Sequence, residues 1–120
     1  PLSAAALTTL VEACRSAPSL LFGGIHCYQG LLQHVRSPAA RREGVRNQVI
    51  AAATATVSVL REAGLWDEAY TITGAGTGTF LYECESGVMN EVQPGSFIFM
   101  DADYNANQWH RPEEEEEEEE

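Results

Sequence analysis

The chain has 120 residues, which is enough for one domain or for part of a larger one. Its formal net charge is −11, but residues 113–120 contribute eight of the eighteen acids, and the other ten acids face seven bases. This weakly acidic body gives no electrostatic reason to bind nucleic acid or an anionic membrane. All seven bases are arginines, so no lysine side chain can act as an amine nucleophile.

The first predicted elements are a helix and a buried strand. Ser3 is a suitable N-cap, and Pro18 ends the helix. Between them, apolar residues recur with helical spacing at Leu7, Leu10, Val11 and Cys14. Residues 19–28 are apolar nearly throughout, which is typical of a strand buried on both faces.

A second, longer helix is predicted over residues 38–63. Ser37 is its N-cap, Pro38 takes the first helical position, and Gly64 follows its end. Three arginines near its start are predicted to form a solvated face: Arg41, Arg42 and Arg46.

The second half of the chain predicts two further strands around a glycine-rich loop. Residues 69–73 form the second strand, and residues 97–101, after the turn QPGS, form the third. Strands that alternate with helices at this spacing form parallel sheets with right-handed crossovers. Because a β/α barrel needs eight strands in about 250 residues, we predict an α/β fragment of a parallel barrel over residues 1–104. Residues 105–120 are predicted to be a disordered polar and poly-Glu tail.

The loop TITGAGTGTF places glycines at Gly74, Gly76 and Gly78. A P-loop is excluded because it requires a lysine, and the dinucleotide pattern GxGxxG is excluded because position 79 is a threonine. Alternating glycines can turn backbone N–H groups towards an anion, and the threonine hydroxyls add donors. The alternative is a tight connection that needs only the dihedral freedom of glycine, and the sequence leaves the two open.

Several segments in order resemble one enzyme family: FGGIHCYQGLLQH, SPAARRE, TGAGTGTF and SGVMNEVQPGSFIFMDADY. Together they resemble the D-threonine aldolase and D-serine dehydratase family. The resemblance implies an alanine-racemase-like, TIM-type barrel that carries pyridoxal 5′-phosphate, with this chain as about the last three strands and two helices. It also implies a lyase that cleaves D-threonine to glycine and acetaldehyde.

The resemblance also implies what the chain lacks. The family's cofactor lysine lies near the first strand, and the ligands of its divalent metal, manganese or a similar ion, lie in the C-terminal domain. We therefore expect this chain to supply only the phosphate loop and pocket wall, and to be inactive alone. Its expected partners are a D-3-hydroxy amino acid substrate, the rest of the barrel and the C-terminal domain; a homo-oligomer stays open.

Two alternatives to the aldolase interpretation remain at this point. One is the D-serine dehydratase branch of the same family. The other is a non-catalytic phosphate-binding half-barrel. Three scattered cysteines, no signal peptide and no apolar run near the roughly 20 residues of a membrane span predict a cytoplasmic protein.

The resemblance assigns site residues by position. It implies that the cofactor is bound by Tyr28, Gln33, Gly76, Thr77, Gly78, Thr79 and Tyr104. Aldolases often carry a histidine where this chain has Gln29, so nearby His34 becomes the catalytic candidate. No metal site is predicted, because His26 and Cys27 are adjacent on a strand and point to opposite faces.

Two acidic pairs are predicted to have structural or solvent-exposed roles. Asp101 and Asp103 are typical of turn-forming acids at a strand end. Glu83 and Glu85 lie in a segment predicted to be a polar loop, where both carboxylates would be solvated.

Overall fold

The computed structural model describes residues 2–109; Pro1 and residues 110–120 lie outside the described residues. The regular elements follow the order α1, β1, α2, α3, β2, α4, β3, α5. In that order they span Ala4–Ser16, Gly24–Cys27, Pro38–Gly44, Ala51–Glu62, Thr71–Gly74, Phe80–Glu85, Glu91–Val92 and Ala102–Asn105. Short 3₁₀ turns at Gly30–His34 and Ser96–Ile98 follow β1 and β3.

The three strands form one parallel sheet in the order β1-β2-β3. Gly24 pairs with Thr71 at the start of β1, and Thr73 pairs with Glu91 at the start of β3. The fold is therefore mixed α/β with a small parallel sheet, as the alternation of helices and strands predicts. All three carboxyl ends meet at the same edge of the sheet.

The predicted helix starts are confirmed. Ser3 Oγ accepts from Ala6 N at 3.2 Å, and Ser37 Oγ accepts from Ala40 N at 3.3 Å. The long helix runs from Pro38 to Glu62 with a π-helical segment, Val45–Ile50, between α2 and α3. Its inner face supplies most of the apolar core: Leu32 packs against Val45 and Val49, and Ala53, Val57 and Leu60 continue the buried stripe.

The predicted third strand, residues 97–101, is wrong. Residues Ser96–Ile98 form a 3₁₀ turn, Phe99 is 94% exposed, and Met100 has a φ of 51°, which no strand residue adopts. The third strand is Glu91–Val92 instead, because the Asn90 side chain hydrogen-bonds to the backbone at the start of β2. Asn90 Oδ1 accepts from Ile72 N at 2.8 Å, and Asn90 Nδ2 donates to the carbonyl of Tyr70 at 2.9 Å.

The first strand is shorter and less buried than predicted. It contains only Gly24–Cys27, and Leu21, within the predicted range, is 95% exposed. The reason is topological: β1 is an outer strand of the sheet, and the described residues place no strand on its other side. Within residues 2–109 no helix combines the length and apolarity that a membrane span needs.

The prediction that Arg41 belongs to a solvated arginine face is wrong. This residue is fully buried, and its Nη1 donates to the carbonyls of Val35 and Arg36 at 2.6 and 3.0 Å. Its Nη2 donates to the carbonyl of Gln108 at 2.6 Å, and its guanidinium lies 5.0 Å from the ring centroid of Trp109. Arg41 therefore ties the long helix to the last described residues.

Residues 105–109 differ from the predicted tail. Asn107 is buried, and its Nδ2 donates to the carbonyl of Gln33 at 2.8 Å. This segment is part of the fold because buried polar groups of the fold take their partners from it. The remainder of the predicted tail, residues 110–120, lies outside the described residues, and the division of the chain into domains stays a prediction.

Replacing Arg41 with methionine should destabilise the chain by about 3 kcal/mol, because three part-buried carbonyls lose a charged donor and the buried guanidinium is removed. Replacing Arg42 with methionine should change the free energy of unfolding little, since its pair with Glu85 is half exposed at 3.0 Å. Urea unfolding followed by circular dichroism measures both variants. Equal losses in the two would contradict the role assigned to Arg41.

Candidate functional site

The glycine loop, residues 74–79, lies at the carboxyl end of β2 and is buried along its whole length. An open cleft of about 350 Å³ lies beside it, at the edge where the parallel strands end. Ligands of α/β sheets bind at this edge. The lining consists of His26, Tyr28, Ala75, Gly76, Thr77, Gln93, Gly95, Ser96 and Tyr104.

The three glycines of the loop lie too close to neighbouring atoms for any of them to carry a Cβ without a shift. A Cβ at Gly74 would lie 1.9 Å from the carbonyl oxygen of Cys27, and one at Gly78 would lie 2.2 Å from that of Gln33. A Cβ at Gly76 would lie 2.6 Å from Gln33 Oε1. Any side chain at Gly74 or Gly78 would collide with backbone, so these positions need glycine for close approach. They do not use its dihedral freedom, because the positive φ in the loop belongs to Ala75, at 67°. This close approach does not exclude binding on the other side of the loop.

Several residues that line the cleft carry a backbone N–H without a partner among the described residues. Among the hydrogen bonds of residues 2–109, the N–H groups of Gly76, Thr77 and Ser96 have no protein acceptor. Thr77 Oγ1 accepts from Phe97 N at 3.0 Å, which joins the loop to the 3₁₀ turn after β3 and leaves the hydroxyl hydrogen available. The site therefore presents several N–H donors without a competing carboxylate in its lining.

Three of the predicted cofactor-binding residues, Gln33, Gly78 and Thr79, do not line the cleft. Gln33 and Thr79 are each 1% exposed. Gln33 Oε1 accepts from Gly78 N at 3.0 Å, and Gln33 Nε2 donates to Thr79 Oγ1 at 2.9 Å. Their polar atoms are thus engaged with the protein, and Gly78 also uses its N–H internally.

The other predicted residues meet at the cleft. Tyr28, Gly76, Thr77 and Tyr104 all line it. Tyr28 is stacked with His26, with ring centroids 6.1 Å apart and an interplanar angle of 11°, as expected for alternate residues at a strand end. Whether these residues bind a cofactor stays a prediction.

His34 does not line the cleft but contacts Tyr104, which does. The two ring centroids are 5.0 Å apart, and His34 Nδ1 lies 2.5 Å from Asp103 Oδ2. Arg36 hydrogen-bonds the other oxygen of Asp103, and this guanidinium, followed by His34, lowers the pKa of that carboxyl. Among the described residues, the contact of His34 with the cleft runs through Tyr104.

Tyr104 keeps its phenolic proton at neutral pH. Burial raises its pKa, and the neighbouring Tyr28, Asp101 and Asp103 add to the effect. Asp101 caps the helix that carries Tyr104, because its Oδ1 accepts from the backbone N of Asp103 and of Tyr104 at 3.0 Å. Asp101 therefore accepts hydrogen bonds from the backbone that follows it, as a turn-forming acid does, but it begins α5 rather than ending a strand. The phenol is available as a hydrogen-bond donor.

Glu83 is the clearest error of the sequence interpretation. It lies on α4, is 1% exposed, and its Oε1 accepts from Thr79 Oγ1 at 2.9 Å. Burial raises the pKa of Glu83, against the opposing effect of the Thr79 hydrogen bond. The glycines and aromatic residues around this segment favour a loop, but residues Phe80–Glu85 form a six-residue helix. Its spacing places Glu83 one turn after Thr79. Glu85, by contrast, is exposed as predicted.

Other residues of the lining were missed. Gln93, Gly95 and Ser96 belong to the motif QPGS, which was interpreted only as a turn. Its position directly after β3, at the ligand-binding edge, is the signal that would have identified it. Among residues 2–109, no group of three His, Cys, Asp or Glu side chains is placed to hold a metal ion.

Proteins of known name match most of this chain. This chain is 40% identical over 108 residues to D-threonine aldolase from Arthrobacter sp. The matched region covers 90% of this chain and 28% of the relative. The chain is also 40% identical over 99 residues to 3-hydroxy-D-aspartate aldolase from Paracoccus denitrificans (strain Pd 1222), covering 82% and 25%. The predicted family resemblance is confirmed.

A solved structure agrees with these relatives. The crystal structure of D-threonine aldolase from Filomicrobium marinum superposes with a TM-score of 0.79 at 42% identity, covering 87% of this chain and 27% of that one. No protein-family model matches the chain. The chain spans about a quarter of the length of the aldolases it matches, so it corresponds to one part of the D-threonine aldolase fold.

Replacing Glu83 with glutamine should remove part of the pH dependence of folding. Because the pKa of Glu83 is raised in the folded chain, the folded state holds this proton more tightly than the unfolded state. The stabilisation is complete below the ordinary glutamate pKa and is lost as the pH rises through the raised value. Urea unfolding from mildly acidic to mildly alkaline pH measures this slope.

The matched control is Glu85→Gln, two residues along the same helix. Glu85 is exposed and pairs with Arg42 at 3.0 Å, so this variant should keep the wild-type slope. If Glu83→Gln also keeps it, burial of Glu83 does not control the titration.

Proposed function

We propose that this chain is the cofactor-phosphate region of a pyridoxal-phosphate-dependent lyase that cleaves D-3-hydroxy amino acids. The observation that carries the proposal is that Gly76, Thr77 and Ser96 line one cleft without a carboxylate, and that their N–H groups have no acceptor among residues 2–109. Such donors bind phosphate. The identity to D-threonine aldolase supports the reaction class.

The residues at the cleft fit this cofactor. The glycine loop and Ser96 supply donors to the phosphate, and the ring of Tyr28 supplies an aromatic wall beside them. Tyr104, protonated and held by His34 and by the Asp101 cap, can donate a hydrogen bond to an oxygen of the bound cofactor or substrate. When bound, pyridoxal phosphate supplies the electron sink for breaking the Cα–Cβ bond.

The chain's own part in the reaction is binding and orientation. It has no lysine to anchor the cofactor, so in this proposal the amine, the divalent metal and its ligands come from other parts of a longer polypeptide. His34 serves to orient Tyr104 rather than to move a substrate proton, because it lies outside the cleft lining. Alone, the chain is inactive.

The exposed apolar residues support this arrangement. Leu21 precedes β1, Phe99 follows β3, and both are more than nine-tenths exposed beside the outer strands of the sheet. The remaining strands of a TIM-type barrel would cover them, with this chain as about its last three strands. A cytoplasmic location and assembly into a homo-oligomer complete the proposal.

The relatives favour an aldolase over the D-serine dehydratase branch, since those described above are aldolases. Their names leave two substrates, D-threonine and 3-hydroxy-D-aspartate, which share the D-3-hydroxy amino acid core and differ in the group on Cβ. A phosphate-binding module without catalysis would use the same loop.

Titration of the ¹⁵N-labelled chain with pyridoxal phosphate should shift the amide resonances of Gly76, Thr77 and Ser96, because these N–H groups would donate to the phosphate. Inorganic phosphate should shift the same amides. Pyridoxal, which has no phosphate, is the control and should leave them in place. Equal shifts with pyridoxal, or shifts confined to distant glycines such as Gly64 and Gly87, would contradict the proposal.

A further inference from the structure

Three buried polar side chains stand behind the glycine loop without touching the cleft. Gln33, Thr79 and Glu83 are each 1% exposed. Gln33 lies in the 3₁₀ turn after β1, Thr79 ends the glycine loop and precedes α4, and Glu83 lies on α4. We propose that this trio, the loop bracket, positions the loop amides for an anion in the cleft. The inference rests on the proposed phosphate site and concerns residues that hold it rather than residues that touch the ligand.

The hydrogen bonds of the loop bracket run in one direction. Gly78 N donates to Gln33 Oε1 at 3.0 Å, and Gln33 Nε2 donates to Thr79 Oγ1 at 2.9 Å. Since the Thr79 hydroxyl has one hydrogen, it donates that hydrogen to Glu83 Oε1, at 2.9 Å. Each group therefore has one orientation, and a change at Glu83 reaches Gly78 through two side chains.

The loop bracket sets the backbone that faces the cleft. The peptide unit between Thr77 and Gly78 is planar, so directing the Gly78 N–H towards Gln33 directs the Thr77 carbonyl the opposite way. The space that a Gly78 Cβ would need is already filled by the Gln33 backbone, with the carbonyl oxygen 2.2 Å away. Gln33 is itself held, because Asn107 Nδ2 donates to its carbonyl at 2.8 Å. The neighbouring peptide unit, between Gly76 and Thr77, is also held, because the Gly76 carbonyl accepts from Thr79 N and Phe80 N at 3.2 and 3.0 Å. The Thr77 N–H, on the opposite side of that planar unit, therefore has little freedom to turn.

Burying Glu83 costs desolvation free energy that packing alone would not require. Its Oε2 is buried and has no hydrogen-bond partner among residues 2–109. An apolar side chain of similar size would fill the space without that desolvation cost. What the carboxyl supplies is an acceptor that fixes the Thr79 hydroxyl, and this explains why a polar residue occupies the position.

Paired variants of Thr79 test the loop bracket. Thr79→Val keeps the shape and removes the hydroxyl, so the affinity for inorganic phosphate, measured from amide shifts of Gly76 and Thr77, should fall roughly tenfold, the scale of one hydrogen bond. Thr79→Ser keeps the hydroxyl and should bind within about twofold of wild type. Val57→Ala, in the apolar core away from the loop, should lower stability and leave the affinity of the folded chain unchanged.

Two further measurements keep the inference testable if Thr79→Val does not fold. Glu83→Gln retains an acceptor and should keep phosphate affinity, whereas Glu83→Met should lose it to the same extent as Thr79→Val. In the wild-type chain, the Gly78 amide should exchange slowly with deuterium. Fast exchange at Gly78 would overturn the inference without any variant.

The outcomes separate this inference from the proposed function. A wild-type chain that shows no phosphate-dependent shift at Gly76 and Thr77 contradicts the phosphate site itself. A wild-type chain that binds phosphate, with Thr79→Val or Glu83→Met binding equally well, keeps the site and overturns the loop bracket. Reduced affinity in Thr79→Val, with rescue in Thr79→Ser, supports it.

Discussion

The contact between the glycine loop and Gln33 is the constraint on which the rest of the site depends. No Cβ fits at Gly78, because the Gln33 carbonyl oxygen would lie 2.2 Å from it. The loop can therefore lie flat against the 3₁₀ turn that follows β1, and the carboxyl ends of β1 and β2 come together there. One side of the loop packs on protein, and Gly76 and Thr77, whose N–H groups have no acceptor among the described residues, line the cleft in which we propose that an anion binds.

Buried polar groups extend this contact through the fold. Arg41 on the long helix holds the carbonyl of Gln108, and the neighbouring Asn107 holds the carbonyl of Gln33. Gln33 then fixes Gly78 through its side chain. Segments distant in sequence thus meet in one hydrogen-bonded set, and the geometry of a loop at the sheet edge depends on a residue in a helix.

Features that depend on neighbouring residues in the chain could be predicted from the sequence, whereas features that depend on contacts between distant segments could not. Helix caps and glycine positions were correct because Ser3, Ser37 and Gly64 act within a few residues. The third strand was misplaced, since its pairing depends on Asn90 reaching β2. Burial of Arg41 could not be inferred, because its guanidinium reaches the distant carbonyl of Gln108. Burial of Glu83 escapes prediction for another reason: it depends on the helix α4, where the sequence predicts a polar loop. Of the predicted cofactor-binding residues, four line the cleft, whereas Gln33, Gly78 and Thr79 make hydrogen bonds within the protein instead.

The most direct test of the central claim is a structure, with pyridoxal phosphate bound, of the longer polypeptide that contains this chain. The phosphate oxygens should lie about 3 Å from the backbone nitrogens of Gly76, Thr77 and Ser96, with the Gly78 N–H still on Gln33. A phosphate held elsewhere, with those three N–H groups donating to carbonyls of neighbouring strands, would contradict it.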